Sequence, residues 1–475
     1  MASISSAGLG SGLDVESIVT KLVTLEKQPI VNLQDKTTSI KSQISIYGKI
    51  QSAFSSLRDA SSKLTNPTSW AALTATSSDP TTTTVAAGTG SGAGSYALKV
   101  TSLAAAQSVS SKAYAATDKI GAGTMTIELG KYGTDKDSFT GKNGVSPISV
   151  TIGADDTLSS VRDKINGANA GVVASVVTDA NGSRLVIRSK DTGEANAFRI
   201  SVADDDGNGA DASGLSALAY DPTASIESMK GNVDAANAVF SVNGMDMSSA
   251  TNNIEGAVDG LSFNLLKKGD STINVSQDKD AIKKTITDFV TTYNSLMNML
   301  RDNTKYDSGS KTAGALQGDS TAIGLQTQLR NLTSGGTTLG GSFARLADIG
   351  LEIGSAGTIT VNDTKLSSAL GKTSDLKNLF MGVDAGNAEN TGMAQRWRTF
   401  ADQVMGVDGS ITSRTTGLQS RVTANDKRAD ELTDRAASYE KRLRAQYTAL
   451  DTQMAKLTDL QSYVSKLTSM LTTSS

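Results

Sequence analysis

The chain contains no cysteine and no histidine. Without cysteine there is no disulfide, no thiolate nucleophile and no cysteine-ligated zinc or iron–sulfur site. Without histidine there is no Ser-His-Asp or Cys-His machinery and no imidazole metal ligand. Only carboxylates, Lys, Tyr, Ser and Thr could carry a reaction at neutral pH. We therefore expect no cofactor and no enzymatic activity.

Aromatic side chains and net charge are also scarce. Aromatics make up only 4% of the 475 residues, whereas an enzyme pocket usually has aromatic and apolar walls. Lys plus Arg number 45 against 48 Asp plus Glu, which gives a net charge of −3. This balance argues against nucleic acid as a partner, because nucleic acid binding needs a basic surface.

Long apolar segments are missing as well. No run of 18 apolar residues occurs, so we expect no transmembrane helix and no membrane insertion. Residues 1–12 are small and polar, and they lack the basic and apolar regions of a secretory signal peptide. We therefore expect that any export proceeds without a cleaved signal peptide.

The C-terminal segment has the strongest pattern in the chain. Residues 418–475 contain neither Gly nor Pro, which predicts one long helix. Its apolar residues recur about every 3.5 positions, as in a coiled-coil seam. Such a helix needs a partner from this chain or another to cover its stripe. The heptad positions are Leu432, Ala436, Tyr439, Leu443, Gln446, Leu450, Gln453, Leu457, Leu460, Val464, Leu467 and Leu471.

The N-terminal segment is also helical in pattern. Asp14 is the predicted N-cap of a helix with apolar residues at Val15, Ile18, Val19, Leu22 and Leu25. Pro29 is expected to interrupt or kink that helix. A second helical pattern follows and stops at Asn66, before Pro67, because a residue that precedes proline disfavours the helical region. We expect the helices at the two ends of the chain to pair.

The middle of the chain reads as antiparallel sheet. Residues 77–95 are rich in Thr, Gly, Ala and Ser, which predicts a linker or an irregular connection. Residues 79–277 form a β-rich block, interrupted by one helix at 158–166. Further helices are predicted at 280–303, 320–333, 363–370 and 395–405, with a hairpin at 349–361. The predicted strands are 96–100, 125–129, 148–152, 172–177, 184–188, 198–202, 239–242, 261–265 and 272–275.

The predicted fold class is multidomain α+β. Terminal helices form a coiled-coil or helical-bundle stalk that carries inserted antiparallel β-rich head domains. The predicted segments are an N-terminal leg helix (1–35), a helical stalk domain (36–76 with 278–417), a β-rich head domain (77–115 with 232–277), a second, inserted β-rich head domain (116–231) and a C-terminal coiled-coil leg helix (418–475).

One segment weakly matches a metal-binding motif. Asp204, Asp206 and Asn208 match the first half of a calcium loop, but the twelfth position, where such a loop needs a glutamate, is Leu215. The alternative is an acidic, glycine-rich surface loop, and we favour it. No metal site is expected.

Four stretches resemble the bacterial flagellar filament cap family, also called hook-associated protein 2. The resemblance covers nearly the whole chain, in order, and is weakest in the β block. The stretches are Gly8-Leu9-Gly10-Ser11-Gly12-Leu13-Asp14 with Glu26-Lys27-Gln28-Pro29, Phe240-Ser241-Val242-Asn243-Gly244 with Gly260-Leu261, Gly350-Leu351-Glu352-Ile353 with Gly357-Thr358-Ile359-Thr360-Val361, and Tyr439-Glu440-Lys441-Arg442-Leu443 with Gln446-Tyr447-Thr448-Ala449-Leu450.

The resemblance implies a structural assembly protein at the distal tip of the flagellum. Such a protein is exported by the flagellar type III apparatus, forms a ring-like homo-oligomer, and retains flagellin while it folds and inserts. The terminal helices would be legs that contact the filament, and a cytoplasmic export chaperone would bind the C-terminal helix. The predicted partner-binding residues are Ile18, Leu22, Leu25, Leu443, Leu450, Leu457, Leu460, Val464, Leu467 and Leu471.

Three alternatives stay open at this point. One is another axial component, such as a hook–filament junction protein or a flagellin, which would share helical ends. A second is an extracellular adhesin whose β block binds host mucin or another glycan. A third is an enzyme with a carboxylate pair in the β block, and its only support is the abundance of Asp.

Overall fold

The computed structural model describes residues 14–309, 311–387 and 390–472. The chain divides into two compact units. The helical unit comprises the residues up to Trp70 together with those from Lys279 onward, and the β unit comprises Ala71–Asp278. The β unit is thus inserted between two parts of the helical unit, as the predicted fold class requires.

The helices are assigned in chain order. They are α1 (Val15–Thr65), α2 (Pro67–Trp70), α3 (Leu158–Ala168), α4 (Lys279–Thr304), α5 (Ser320–Ser334), α6 (Asp363–Ala369), α7 (Thr373–Met381), α8 (Met393–Met405) and α9 (Ser410–Thr472).

The strands form antiparallel pairs in both units. They are β1 (Leu73–Ser77), β2 (Thr83–Ala87), β3 (Gly94–Ser102), β4 (Ser108–Ser110), β5 (Gly123–Tyr132), β6 (Phe139–Gly141), β7 (Ile148–Ile152), β8 (Val172–Asp179), β9 (Gly182–Ser189), β10 (Ala197–Asp204), β11 (Lys230–Val233), β12 (Ala238–Val242), β13 (Met245–Ser249), β14 (Asn253–Val258), β15 (Leu261–Leu265), β16 (Gly269–Gln277), β17 (Tyr306–Asp307), β18 (Thr312–Ala313), β19 (Leu351–Ile353) and β20 (Ile359–Val361).

Helix α1 begins where the sequence predicts but does not break at Pro29. The Asp14 carboxylate caps it by accepting the backbone N–H of Ser17 at 3.0 Å. The expected interruption at Pro29 is wrong, since the helix continues to Thr65. Pro29 lies on the exposed side, and the missing hydrogen bond is outweighed by burial of the neighbouring Val23 and Ile30.

Helix α9 is longer than predicted. It starts at Ser410 and includes Gly417, so the predicted start at residue 418 is eight residues late. The buried side chains of Ile411 and Leu418 pack into the core of the helical unit on either side of that glycine. Packing therefore compensates for the low helix propensity of Gly417.

The core of the helical unit joins both ends of the chain. Helices α1, α4, α8 and α9 contribute buried side chains to one cluster. At its centre the Trp397 ring stacks on Phe289 with centroids 4.3 Å apart, and Phe54 meets Phe400 edge-on at 5.9 Å. The base of the α1–α9 pair is thereby held in a large apolar core.

The β unit contains two apolar cores. Around the first lie the five-stranded sheet β1-β16-β3-β12-β13 and the three-stranded sheet β14-β15-β2, with Phe240 and Phe263 buried. Around the second lie two four-stranded sheets and helix α3. In one sheet β10, β6 and β7 all pair with β5, and the other has the order β11-β4-β9-β8. The chain between residues 104 and 109 and again between 229 and 238 connects the two cores.

The predicted linker at residues 77–95 is wrong in its central part. Strand β2 lies within it and pairs with β15, so that Val85 faces Phe263. Residues 78–82 connect β1 to β2, and residues 88–93 connect β2 to β3. Val85 is the one large apolar residue of β2, so the apolar alternation that marks a strand is weak. The pairing is made with β15, which is far away in sequence.

Candidate functional site

Helices α1 and α9 lie side by side and run antiparallel. Near the start of α1, the Arg444 guanidinium binds the Glu16 carboxylate through two hydrogen bonds of 2.6 and 2.8 Å. Further along, Arg435 binds Glu26 at 3.0 Å. From Glu16 to Glu26 the chain advances ten residues along α1, and from Arg444 to Arg435 it goes back nine residues along α9. The two ion pairs therefore fix the antiparallel register of the helices.

An apolar seam runs between these ion pairs. Its buried members are Val15, Val19, Val23 and Leu443, with Leu22, Tyr439 and Tyr447 packed against them. The three valines are spaced four residues apart, so they stand on one side of α1. We call this cluster the proximal seam.

The ion pairs at the proximal seam are exposed. The side chains of Arg444 and Glu16 retain 46% and 66% of their accessible surface. The hydrogen bond from Arg444 lowers the pKa of Glu16, and the Glu16 and Glu440 carboxylates raise the pKa of Arg444. Since solvent screens such pairs, they set the register more than they stabilise the helix pair.

A buried polar network fixes the base of the pair. The Asp319 carboxylate accepts the Tyr47 hydroxyl at 2.7 Å and two Arg414 guanidinium hydrogen bonds at 3.0 and 2.8 Å. It also accepts the backbone N–H groups of Thr321 and Ala322, and so caps α5. Burial by itself would raise the pKa of Asp319, but these hydrogen bonds outweigh it and lower the pKa. One carboxylate thus ties together α1, α5 and α9.

Beyond the proximal seam, the apolar stripe of α9 is exposed to solvent. Seven large apolar side chains keep between 38% and 66% of their surface exposed: Leu450, Met454, Leu457, Leu460, Tyr463, Val464 and Leu467. We call this set the distal stripe. Leu450, Leu457, Leu460, Val464 and Leu467 continue the heptad positions of α9, and Met454 and Tyr463 flank them. Among the described residues no second helix covers this stripe, whose composition is that of a helix–helix interface.

Three regions of the chain match known protein families. Residues 11–107 match the flagellar hook-associated protein 2 N-terminus, residues 235–459 match its C-terminus, and residues 138–191 match the flagellin hook IN motif. Flagellar hook-associated protein 2 of Escherichia coli is 33% identical, over 98% of this chain and 98% of its own length. The B-type flagellar hook-associated protein 2 of Pseudomonas aeruginosa is 29% identical over 97% of this chain and 96% of its own.

The chain belongs to the flagellar hook-associated protein 2 family. The crystal structure of the flagellar cap protein FliD D1-D2-D3 domains from Escherichia coli resembles it with a TM-score of 0.53 and 31% identity, over 79% of this chain and 99% of the other. The resemblance that the terminal and internal motifs predict is therefore confirmed, as is the α+β fold class.

The structure separates the predicted leg residues of this family member into two groups. Leu443 is buried in the proximal seam and Leu22 packs against it, whereas Leu25 is 71% exposed. Ile18 is half-buried. Leu450, Leu457, Leu460, Val464 and Leu467 lie in the distal stripe. Leu471 lies in α9, but its side chain falls outside the described residues. Partner binding by these residues stays a prediction.

Sequence reasoning missed two parts of the site. The buried α1 residues of the proximal seam are Val15, Val19 and Val23, while Leu22 packs at its edge and Leu25 is exposed. Only the four-residue spacing of the valines could have indicated this. The Asp319 network was also missed. Its one local signal is an aspartate directly before the predicted start of α5.

The weak calcium-loop match lies at the end of β10. The Asp204 carboxylate accepts the backbone N–H and the hydroxyl of Ser216 at 2.9 and 3.1 Å, and Asp206 accepts the backbone N–H of Asn208 at 2.8 Å. Leu215 is buried in the second β core. Within the described parts of the chain, no three acidic side chains are grouped to hold a metal ion.

None of the described helices is long and apolar enough to cross a membrane. The exposed distal stripe belongs to a helix that also carries Asp451, Lys456, Asp459 and Lys466. Its apolar residues are therefore better suited to a partner helix than to a bilayer.

Proposed function

We propose that this protein is the cap at the distal tip of the bacterial flagellar filament. It forms a ring-like homo-oligomer there, retains exported flagellin, and promotes the folding and insertion of each subunit as the filament grows. The observation that carries the proposal is full-length membership of the flagellar hook-associated protein 2 family, which includes a protein described as the flagellar cap. The comparisons favour this role over an adhesin or a hook–filament junction protein.

The distal stripe of α9 is the surface that we propose to dock on flagellin at the filament tip. Burying one Leu or Val side chain fully contributes about 1.5–3 kcal/mol. The stripe has five Leu and Val side chains together with Met454 and Tyr463, all about half exposed. Their burial would offset the loss of freedom on docking, which costs roughly 4–15 kcal/mol. The rigid base beneath the stripe, built around Asp319, keeps this helix directed toward its partner.

The predicted segments take separate tasks in this proposal. Residues 1–35 and 418–475 form the legs, of which 1–13 and 473–475 lie outside the described residues. Residues 36–76 with 278–417 form the stalk, and the two β-rich segments form the head. Before assembly the distal stripe would be an exposed apolar surface, which favours aggregation unless it is covered. A cytoplasmic export chaperone that binds the C-terminal helix would cover it until export through the type III apparatus, without a cleaved signal peptide. No reaction is assigned to the protein.

Binding to filaments tests the leg assignment. The double substitution Leu457→Asp plus Val464→Asp places two charges in the distal stripe, far from the core of the helical unit. Filaments polymerised from purified flagellin, and therefore free of this protein, are incubated with the full chain, and capped tips are counted by electron microscopy. We expect the double variant to cap few or no tips.

A matched control separates the stripe from the rest of the helix. Thr448→Asp plus Ser462→Asp adds the same charge on the opposite side, since Ser462 lies five residues beyond Leu457, about 140° around the helix. The control should cap tips as the natural chain does. Equal capping by the stripe variant and the natural chain would show that the stripe does not bind the filament.

A further inference from the structure

Two short chain segments join the two apolar cores of the β unit. The two clusters share no residue, and every residue of this unit lies within the described part of the chain. The packing of one core therefore does not hold the other core in place. Alanine predominates where the chain crosses, since the two segments are Ala104-Ala105-Ala106-Gln107 and Asp234-Ala235-Ala236-Asn237.

Side-chain amides fix both ends of the first crossing segment. In the first core, the Asn252 amide accepts the backbone N–H of Ala104 at 2.7 Å and donates to its carbonyl at 2.9 Å. In the second core, the buried Gln107 amide makes the same two hydrogen bonds with the backbone of Phe198, at 2.9 and 2.8 Å. Two alanines lie between these fixed points.

The second crossing segment has the same arrangement. The Lys136 ammonium binds the Asp234 carboxylate at 2.6 Å, which ties the segment to the turn between β5 and β6 in the second core. Strand β12 of the first core begins four residues later. Ala236 and Ala105 exchange two backbone hydrogen bonds of 2.8 and 3.1 Å, so the two segments lie side by side. We call their four central residues the alanine hinge: Ala105, Ala106, Ala235 and Ala236.

A further contact closes the junction beside the alanine hinge. The loop between β9 and β10 reaches from the second core to the first. The Thr192 hydroxyl donates to the Ala250 carbonyl at 2.6 Å, and the backbone N–H of Glu194 donates to the Asn237 side chain at 3.0 Å. Between them, the buried Gly193 lies so close to Ala250 that a Cβ would collide with it. We call Thr192, Gly193 and Glu194 the clasp.

The composition of this junction suits relative motion of the two cores. Opening the clasp exchanges hydrogen bonds within the protein for hydrogen bonds to water, and polar interfaces between packed parts of a chain permit such motion. Alanine side chains end at Cβ, so those of the hinge do not interlock with either core. A crevice of about 380 Å³ beside the hinge, lined in part by Lys131, Lys136, Glu194 and Asp234, leaves space for the movement.

We propose that the alanine hinge and the clasp form a conformational device that sets the angle between the two β cores. The closed clasp holds the cores in one orientation. When the clasp opens, the second core turns as a rigid body about the hinge, while the Asn252 and Gln107 amides keep the ends of the hinge in place. The inference does not depend on the docking of the distal stripe or on the proposed function.

Distances between spin labels test the device in the full chain. Because the chain has no cysteine, Thr272→Cys in the first core and Thr151→Cys in the second create two unique labelling sites, both of them exposed. Pulsed electron paramagnetic resonance then gives the distribution of the distance between the two labels. We expect one narrow distribution while the clasp is intact.

The clasp variant is Thr192→Val plus Asn237→Ala, which removes the hydroxyl donor and the amide acceptor. Each lost hydrogen bond should lower the ratio of closed to open molecules by about two- to tenfold, so the distribution should broaden as a second population appears. The matched control, Thr84→Val plus Asn264→Ala, makes the same chemical changes at exposed, paired positions of β2 and β15. The control should keep the narrow distribution.

A label pair within the second core separates hinge motion from unfolding. The distance between labels at Thr151→Cys and Arg188→Cys should be the same with and without the clasp substitutions. An unchanged distribution between the two cores in the clasp variant would overturn the proposal, as would a broad distribution in the chain with an intact clasp. Broadening within the second core would also overturn it, because the substitutions would then unfold this core rather than open the hinge.

Discussion

Replacing Asp319 with alanine should destabilise the helical unit more than replacing any exposed charged residue does. The Asp319 side chain is 3% exposed, and it accepts hydrogen bonds from Tyr47, Arg414 and the start of α5. Alanine removes all of them at once. The residues left behind include the fully buried Tyr47 hydroxyl and an arginine whose side chain is 33% exposed.

The size of the effect follows from these partners. Loss of an N-cap costs about 1 kcal/mol, and a buried hydroxyl left without an acceptor costs about 1–3 kcal/mol. The partly exposed Arg414 regains some hydration, so its contribution is smaller than in a fully buried pair. Together these give a loss of about 3–4 kcal/mol in the free energy of unfolding, and a fall in Tm of roughly 10 °C.

Tryptophan fluorescence provides an assay specific to this unit. The chain has two tryptophans, Trp70 and Trp397, and both are buried in the core of the helical unit. Urea or thermal unfolding followed by their emission therefore reports on this unit and not on the β unit. Tyr47→Phe should cost about 1 kcal/mol, because it removes one hydrogen bond and leaves the Asp319–Arg414 pair.

An exposed ion pair provides the control. Lys284 and Asp288 lie one turn apart on α4, with side chains 72% and 56% exposed. Lys284→Ala should change the free energy of unfolding by less than about 0.5 kcal/mol. If Asp319→Ala unfolded at the same denaturant concentration as Lys284→Ala, the network would not anchor α9, and the reasoning would fail.

Three further outcomes are expected. Pro29→Ala restores a backbone N–H within α1 and should stabilise the helix by about 1–3 kcal/mol, seen as slower hydrogen exchange around residue 29. Gly193→Ala should destabilise the β unit, because φ is +103° and a Cβ would lie 2.7 Å from the Cβ of Ala250; faster proteolysis of the β unit measures this. Folding lowers the pKa of Asp319, so the stability that this carboxylate contributes should be present above about pH 4 and lost as the pH falls further. Unfolding followed by tryptophan emission at a series of pH values measures this, and Asp319→Ala should remove the pH dependence.

Each of these outcomes has a result that would contradict it. Unchanged hydrogen exchange in Pro29→Ala would mean that Pro29 does not weaken the helix. Gly193→Ala that resists proteases like the natural chain would mean that the loop relaxes without cost. An acid transition unchanged by Asp319→Ala would assign the pH dependence to other carboxylates.

The long helices and their stripes could be predicted because their signals are local. The absence of Gly and Pro and the heptad spacing are visible within residues 418–475 alone. Most predicted strands lie within the observed ones, and Ile148–Ile152 and Leu261–Leu265 agree to the residue. Alternation of apolar residues is enough for this when a strand has one face in a core.

The errors arise where distant contacts decide the structure. Pro29 stays helical because neighbouring residues are buried against α9, and β2 forms because β15 supplies its hydrogen bonds. The Asp319 network joins residues 272 and 95 positions apart, and no local pattern connects them. The choice of valines for the proximal seam likewise depends on the orientation of α1 against α9.

The flagellin content of the medium tests the central claim most directly. The gene is deleted in the source bacterium, and monomeric flagellin in the culture supernatant is compared with flagellin in filaments, with and without complementation by the full chain. A cap predicts leaked monomer and short or absent filaments in the deletion strain, and recovery of both with the full chain. Filaments of normal length without leaked flagellin in the deletion strain would contradict the account.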